Sequence, residues 1–150
     1  MNRGFFEIGV WQPKCEHNIG TLWRSAWQLG AAGVFTVGPR YKQQASDTLK
    51  AWRHIPMRTF ASIDDLIEAL PHSCPLVAVE MGGHKDRSRW HLERCCYLLG
   101  AEDHGLPEDV IARCHQTIAL QHAPGRTASF NVAVAGSIVM WDRMTSREIK

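Results

Sequence analysis

No apolar run in this chain approaches the roughly twenty residues a membrane-crossing helix needs, so a bilayer span is excluded. Internal repeats, low-complexity stretches and Pro/Gly/Ser-rich linkers are absent too, so 150 residues are expected to form one domain, 1–150. The glycine signatures that most often cradle phosphates, G-x-G-x-x-G and G-x-x-x-x-G-K-[ST], are missing, which removes the ordinary dinucleotide dehydrogenase and the NTPase. There is no C-x-x-C pair and no H-E-x-x-H. Cys15-x-His17, Cys95-Cys96 and Cys114-His115 lack ligand spacing, so no metal is expected. The five cysteines (Cys15, Cys74, Cys95, Cys96, Cys114) are an odd number without a framework pattern and read as reduced thiols. Met1-Asn2-Arg3-Gly4 leads straight into an apolar run without a small-residue cleavage site, so we expect no secretory signal and a cytoplasmic protein.

What is present is an ordinary globular mixture. Hydrophobic residues make up 45% and charged residues 21%, enough apolar side chains to bury a sizeable core. The net charge is only +2, yet it is unevenly spread. Residues 1–58 carry eight Lys/Arg against three Asp/Glu, and the remainder carries nine against twelve. A polyanion would be steered to the first part, although charge scatter on a solvated surface gives the same asymmetry.

Short apolar runs alternate with helical patterns. Phe5-Phe6-Glu7-Ile8-Gly9-Val10 reads as a strand, and Val34-Phe35-Thr36-Val37 as a second, stopped by Gly38-Pro39. Between them Ile19, Leu22, Trp23, Ala26 and Leu29 recur at helical spacing, with Asn18 as the expected N-cap and Gly30 as the stop. The polar, basic stretch 39–54 reads as a long surface loop with one helical turn. Ile55 to Phe60 predicts a short strand, and Ser62-Ile63-Asp64-Asp65 opens a helix closed by Leu70-Pro71. Leu76-Val77-Ala78-Val79 and Cys96-Tyr97-Leu98-Leu99 are continuous apolar runs, typical of strands covered on both faces. Pro107 begins a short helix to about Cys114 as its first residue. Ile118-Ala119-Leu120 is a last strand, and a final helix runs from about Ser129 to Arg143. Such alternation predicts an α/β domain: a mostly parallel sheet with helices on both faces.

In open α/β sheets ligands bind beyond the carboxyl ends of the strands. Three segments here are rich in glycine and small polar residues, and in order they contain Asn18-x-Gly20-x-x-x-Arg24, Leu-Gly100-Ala-Glu102-Asp-His-Gly105-Leu-Pro107 and Ser129-Phe-Asn131-Val-Ala-Val-Ala. They resemble the three motifs of the SpoU/TrmH branch of the SPOUT RNA methyltransferases, and they span nearly the whole chain. The resemblance implies a deep trefoil knot in the C-terminal half and an S-adenosyl-L-methionine site made by it. It also implies an obligate homodimer and methyl transfer to a ribose 2′-hydroxyl of RNA. With no added RNA-binding domain, a compact tRNA target is expected before rRNA. A base methyltransferase on the same scaffold, or a non-catalytic RNA-binding module, is the alternative.

Site residues follow from the same resemblance. Arg24 stands at the target hydroxyl, where the family pattern makes it the proposed general base. A guanidinium stays protonated in proteins, so we expect it to bind the adjacent phosphate and stabilise developing alkoxide. Asn18 is expected to cap its helix and to bond near Arg24. Glu102 is expected to pair with a cation or accept a hydrogen bond in the cofactor loop. Gly100 and Gly105 let backbone groups approach the cofactor. Ser129 and Asn131 offer a hydroxyl, an amide and N–H groups at the start of the last helix. Val79, Ile118 and Leu120 resemble the positions that sandwich the adenine. Each also has an ordinary use, as cap, turn residue or core. Arg40, Lys42 and Arg53, with Tyr41 and Trp52, are expected to hold RNA backbone and stack a base. Phe130, Val134, Ile138 and Trp141 share one face of the last helix, and with Ala133, Ala135 and Gly136 nearby that face is assigned to the dimer contact.

Overall fold

The continuous apolar runs become strands because both faces of the sheet they form are covered. The computed structural model describes residues 4–38, 50–81, 91–100, 104–146 and 149. In chain order it contains β1 (Phe5–Trp11), α1 (Glu16–Gln28), β2 (Gly33–Val37), a 3-10 turn (Ala51–Arg53), β3 (Met57–Phe60), α2 (Ile63–Glu68), β4 (Leu76–Met81), β5 (Arg94–Leu99), α3 (Glu108–Ala112), β6 (Gln116–Leu120) and α4 (Val132–Thr145). The strands form one sheet in the order β3-β2-β1-β5-β4-β6, and every neighbouring pair is parallel. Among the described residues no helix is long and apolar enough to cross a membrane.

Side chains alternate across β5, with Cys95, Tyr97 and Leu99 on one face and Cys96 and Leu98 on the other. The first face is covered by α1 and α4, through Ile19, Leu22, Trp23, Ala26, Val132, Ala135, Val139 and Met140. The second carries α2 and α3, through Leu66 and Val110. Gly9, in the middle of β1, lies under the Phe35 ring. A Cβ there would sit 2.1 Å from Phe35 Cδ2, so the ring occupies the space a side chain would need. Glu7 is the one acid in that strand, and Arg58 of β3 reaches over β2 to pair with it. Gly33 leaves the passage open, since a Cβ there would lie 3.2 Å from Glu7 Oε1.

Several helix ends differ from the sequence expectation. α1 starts three residues early, with Cys15 at the N-cap position and no side-chain cap bond. Asn18 is therefore inside the first turn and does not cap. Gly30, with φ +91°, follows the last turn as expected. Ser62 Oγ accepts from the Asp65 N–H at 3.2 Å, closing the start of α2. Pro107 is the N-cap of α3, not its first residue. α4 begins later than expected, with Asn131 as its cap, so Phe130 lies before the helix and not on its stripe. Gly136 is core. A Cβ there would meet Leu22 Cδ1 at 2.5 Å and Leu99 Cδ1 at 3.0 Å, so the missing side chain brings α4 against α1 and β5 within one chain. Ala133 and Ala135 are buried with it, while Val134, Ile138 and Trp141 face outward.

Candidate functional site

A parallel sheet gathers the carboxyl ends of its strands at one edge, and the register states which residues meet there. Val79 pairs with Leu99 on one side and Ile118 on the other, and Met81 pairs with Leu120. Val79 is buried, Ile118 and Leu120 are half-buried, and Gly100 follows directly on Leu99. These four residues thus share one edge of β5, β4 and β6.

The turn beyond β5 is built on backbone-to-backbone contact. A Cβ on Gly100 would lie 2.4 Å from the carbonyl carbon of Gly105 and 2.6 Å from the Leu106 nitrogen. Gly105 has φ +64°, in the left-handed region. Glu80, near the end of β4, fixes this turn: its Oε1 accepts from the Leu106 N–H at 3.3 Å. Sequence reasoning missed Glu80. The available signal was a carboxylate ending an otherwise apolar strand.

Asn131 uses both halves of its amide. Oδ1 accepts from the N–H groups of Ala133 (2.9 Å) and Val134 (3.3 Å), capping α4. Nδ2 donates to Asn18 Oδ1 at 2.9 Å. That bond ties the first turn of α1 to the start of α4, so two helix N-termini stand side by side. Their dipoles favour an anion. Ser129, two residues ahead of the cap, is exposed.

Arg24 is exposed on α1, roughly 9 Å along the axis from Asn18. Its guanidinium makes no hydrogen bond or ion pair with any described residue. Arg53 is exposed in the 3-10 turn. Glu102, Arg40, Lys42 and Tyr41, and the side chain of Trp52, lie outside the described residues.

His122, in the segment after β6, was also missed. Its ring stacks on Phe130, 5.3 Å between centroids and 9° from parallel. Its Nε2 is buried without a hydrogen-bond partner among the described residues. Cys15 is exposed, and the other four thiols are poor nucleophiles. Burial pushes Cys95 and Cys114 up to about 11, and raises Cys74 and Cys96 as well. No group of three His, Cys, Asp or Glu able to hold a metal occurs among the described residues. The edge can bind and orient a ligand through backbone, amide and hydroxyl groups beside an apolar wall.

This layout defines a single-sheet α/β domain of the class that holds its ligand at the carboxyl edge of parallel strands. The chain belongs to the SpoU rRNA methylase family, whose model matches residues 6–141. It is therefore an RNA methyltransferase by family. It is similar to a solved structure concerned with the 2-OH methylation of C/U34 on tRNA, with 28% identity, TM-score 0.74, 93% of this chain covered and 89% of the other. The fold is shared with the TrmH/SpoU tRNA modifying enzyme of A. aeolicus (18% identity, TM-score 0.80, 95% and 75% covered). It is shared too with the SpoU methyltransferase AviRb from Streptomyces viridochromogenes in complex with AdoMet (22% identity, TM-score 0.76). The alignment with AviRb covers 93% of this chain and 57% of that one. Among curated proteins none matches the sequence.

Proposed function

We propose that this protein transfers a methyl group from S-adenosyl-L-methionine to a ribose 2′-hydroxyl of tRNA, working as a cytoplasmic homodimer. The observation that carries the reading is the Asn18–Asn131 bond, which joins the first and third motifs at the edge where the second motif's glycine turn also lies.

The edge fits the cofactor. Val79, Ile118 and Leu120 offer apolar contact to an adenine, and the Gly100–Gly105 turn presents backbone groups without side chains in the way. His122 Nε2, which has no partner among the described residues, marks a polar spot that a ligand can satisfy. Ser129 and Asn131 supply a hydroxyl and an amide, with Glu102 assigned to the same loop. Bound there, the cofactor supplies a methyl carried on a sulfonium. The chain's own work is positioning, since acceptor oxygen, methyl carbon and sulfur must lie in line. Arg24 binds the phosphate beside the target ribose and stabilises the oxyanion as it develops, and the proton leaves to water. Arg40, Lys42 and Arg53 hold the RNA backbone.

Val134, Ile138 (38% exposed) and Trp141 (58% exposed) form an apolar stripe on α4 that a second copy would cover. The reading also takes the chain through the loop after β5 as a trefoil knot. In support, β6 lies at the outer edge beside β4, yet α4 returns to pack on Ile8 and Leu99 of β1 and β5. The choice of tRNA is supported by the relative at 28% identity.

The test is methylation of unmodified tRNA and of rRNA with labelled S-adenosyl-L-methionine, followed by digestion to nucleosides. A 2′-O-methylnucleoside from tRNA is expected; a base-methylated product, or rRNA alone as substrate, sinks the corresponding half of the proposal. Arg24→Ala is expected to lower turnover about a hundredfold or more while S-adenosylhomocysteine binding is retained. Arg24→Lys retaining most turnover would show that the guanidinium fork is dispensable.

A further inference from the structure

Two aromatic rings from different segments are stacked on the surface of α1. Trp27 is 37% exposed, and the imidazole of His54 lies on it at 3.9 Å between centroids and 5° from parallel. Trp23, one helical turn away, is buried at 5%, so the two tryptophans of α1 are used in different ways. The stack is held from below. Trp23 Nε1–H donates to Ile55 O at 3.0 Å, in buried surroundings. Ala51 is fully buried under the 3-10 turn, and its carbonyl accepts from the N–H groups of His54 (2.9 Å) and Ile55 (3.2 Å). His54 therefore rides on a pinned turn, and its ring is placed over Trp27 while remaining exposed itself.

The surroundings are basic. Arg24 precedes Trp27 by three positions, which puts both on one face of α1. Arg53 precedes His54 and is exposed. Helical geometry also separates this pair from the contact with α4, which α1 makes through Asn18 and Leu22 on its other flank.

We infer that Trp27 and His54 form a stacking platform for an unpaired base of the RNA substrate, next to the nucleotide whose ribose Arg24 engages. Planar rings held parallel accept any base through its π-face, and flanking guanidinium groups take the phosphates on either side. Neither residue touches the reacting atoms; both act by positioning the RNA. This inference deepens the function proposed above and rests on it.

The experiment compares wild type with Trp27→Ala, Trp27→Phe and His54→Ala, using fluorescein-labelled unmodified tRNA for binding and the methyl-transfer assay for kinetics. Trp27→Ala is expected to weaken tRNA binding and raise the KM for tRNA about tenfold, with kcat changed far less. Trp27→Phe should recover most of the loss, His54→Ala should show part of it, and S-adenosylhomocysteine affinity should be unchanged in all three. A folded Trp27→Ala protein, checked by its melting curve, that binds labelled tRNA as tightly as wild type overturns the platform. So does dissociation of a dimer on sedimentation that accounts for the lost affinity, because Trp27 is then a subunit contact. If wild type transfers no methyl, the functional reading fails separately, and the binding arm alone decides the platform.

Discussion

The two ends of the sheet treat polar groups in opposite ways. At the amino end, Arg143 near the C-terminus of α4 is 1% exposed and surrounded by acceptors. It donates to Leu92 O (2.6 Å), Glu93 O (2.8 Å) and Tyr97 Oη (3.1 Å), and its guanidinium carbon lies 4.8 Å over the Phe6 ring. Tyr97 Oη also meets His91 Nδ1 at 2.6 Å, and His91 Nε2 meets Asp142 Oδ2 at 2.8 Å. Toward the carboxyl end, Ser129 is exposed, and Arg24, roughly 9 Å along α1 from Asn18, is exposed with no partner among the described residues. A buried cation answered by the protein's own carbonyls fixes a structure, whereas an exposed cation is left for something from outside. One helix, α4, serves both: its C-terminus is anchored so that Asn131 at its N-terminus can be held in place. A cation near the C-terminus also suits the helix dipole.

The comparison is most sharply broken at Arg143. Arg143→Ala takes a donor from Leu92 O and Tyr97 Oη, leaves Glu93 O with the Phe5 N–H alone, and opens a cavity beside Phe6. We expect a loss of about 3–5 kcal/mol in urea unfolding, against about 0.5 kcal/mol or less for Arg24→Ala. Equal losses for the two would show that the ends are not built differently. A folded Arg143→Ala protein with unchanged stability but no cofactor binding would place function at the wrong end.

Much of this was legible in the chain. The parallel sheet could be read from Leu76–Val79 and Cys96–Leu99, since only strands covered on both faces stay apolar at consecutive positions. The Ser62 cap and the Gly30 stop announce themselves through side-chain chemistry confined to a few neighbours. Asn18 was misread for the same reason. An asparagine near a helix start satisfies the local capping pattern, but its partner, Asn131, is 113 residues away, and no local rule sees it. Gly136 was assigned with its helix face to a subunit contact through the family resemblance, and only the fold says that its close neighbour is Leu22 of the same chain. The His91–Tyr97–Arg143 cluster was invisible: Tyr97 reads as part of a covered strand, and nothing local joins it to His91 or Arg143. Glu80 and His122 were missed because their roles depend on where the turns after β5 and β6 come to rest.

Asn131 sharpens the other end. Asn131→Ala removes the α4 cap and the bond to Asn18, so we expect a loss of about 1 kcal/mol in stability and weaker S-adenosylhomocysteine binding. Asn131→Asp separates the two roles. A carboxylate still accepts from the Ala133 and Val134 N–H groups and suits the helix N-terminus, so stability should return close to wild type. It cannot donate to Asn18 Oδ1, so the affinity seen by calorimetry should remain low. If the aspartate variant recovers binding along with stability, the tie between α1 and α4 does not shape the site.

The smallest expected effect lies at His91 and concerns pH. Burial pushes this imidazole below its ordinary 6.5 in the folded protein; the Arg143 charge acts the same way, and Asp142 opposes both. The network fits the neutral ring, with Nε2–H donating to Asp142 and Nδ1 accepting from Tyr97, whose oxygen already accepts from Arg143. In the unfolded chain the ring takes up its proton near 6.5, but in the folded state only at lower pH. Between those two values the unfolded state binds more protons, so stability rises with pH there. The contribution is complete above about 6.5 and declines as the solution is acidified below it. His91→Gln cannot titrate, so its unfolding free energy should fall less steeply than that of wild type as pH drops from 7 through 5. Parallel slopes for the two proteins would mean that His91 stays neutral by default and that the amino end owes its rigidity to Arg143 and Tyr97 alone.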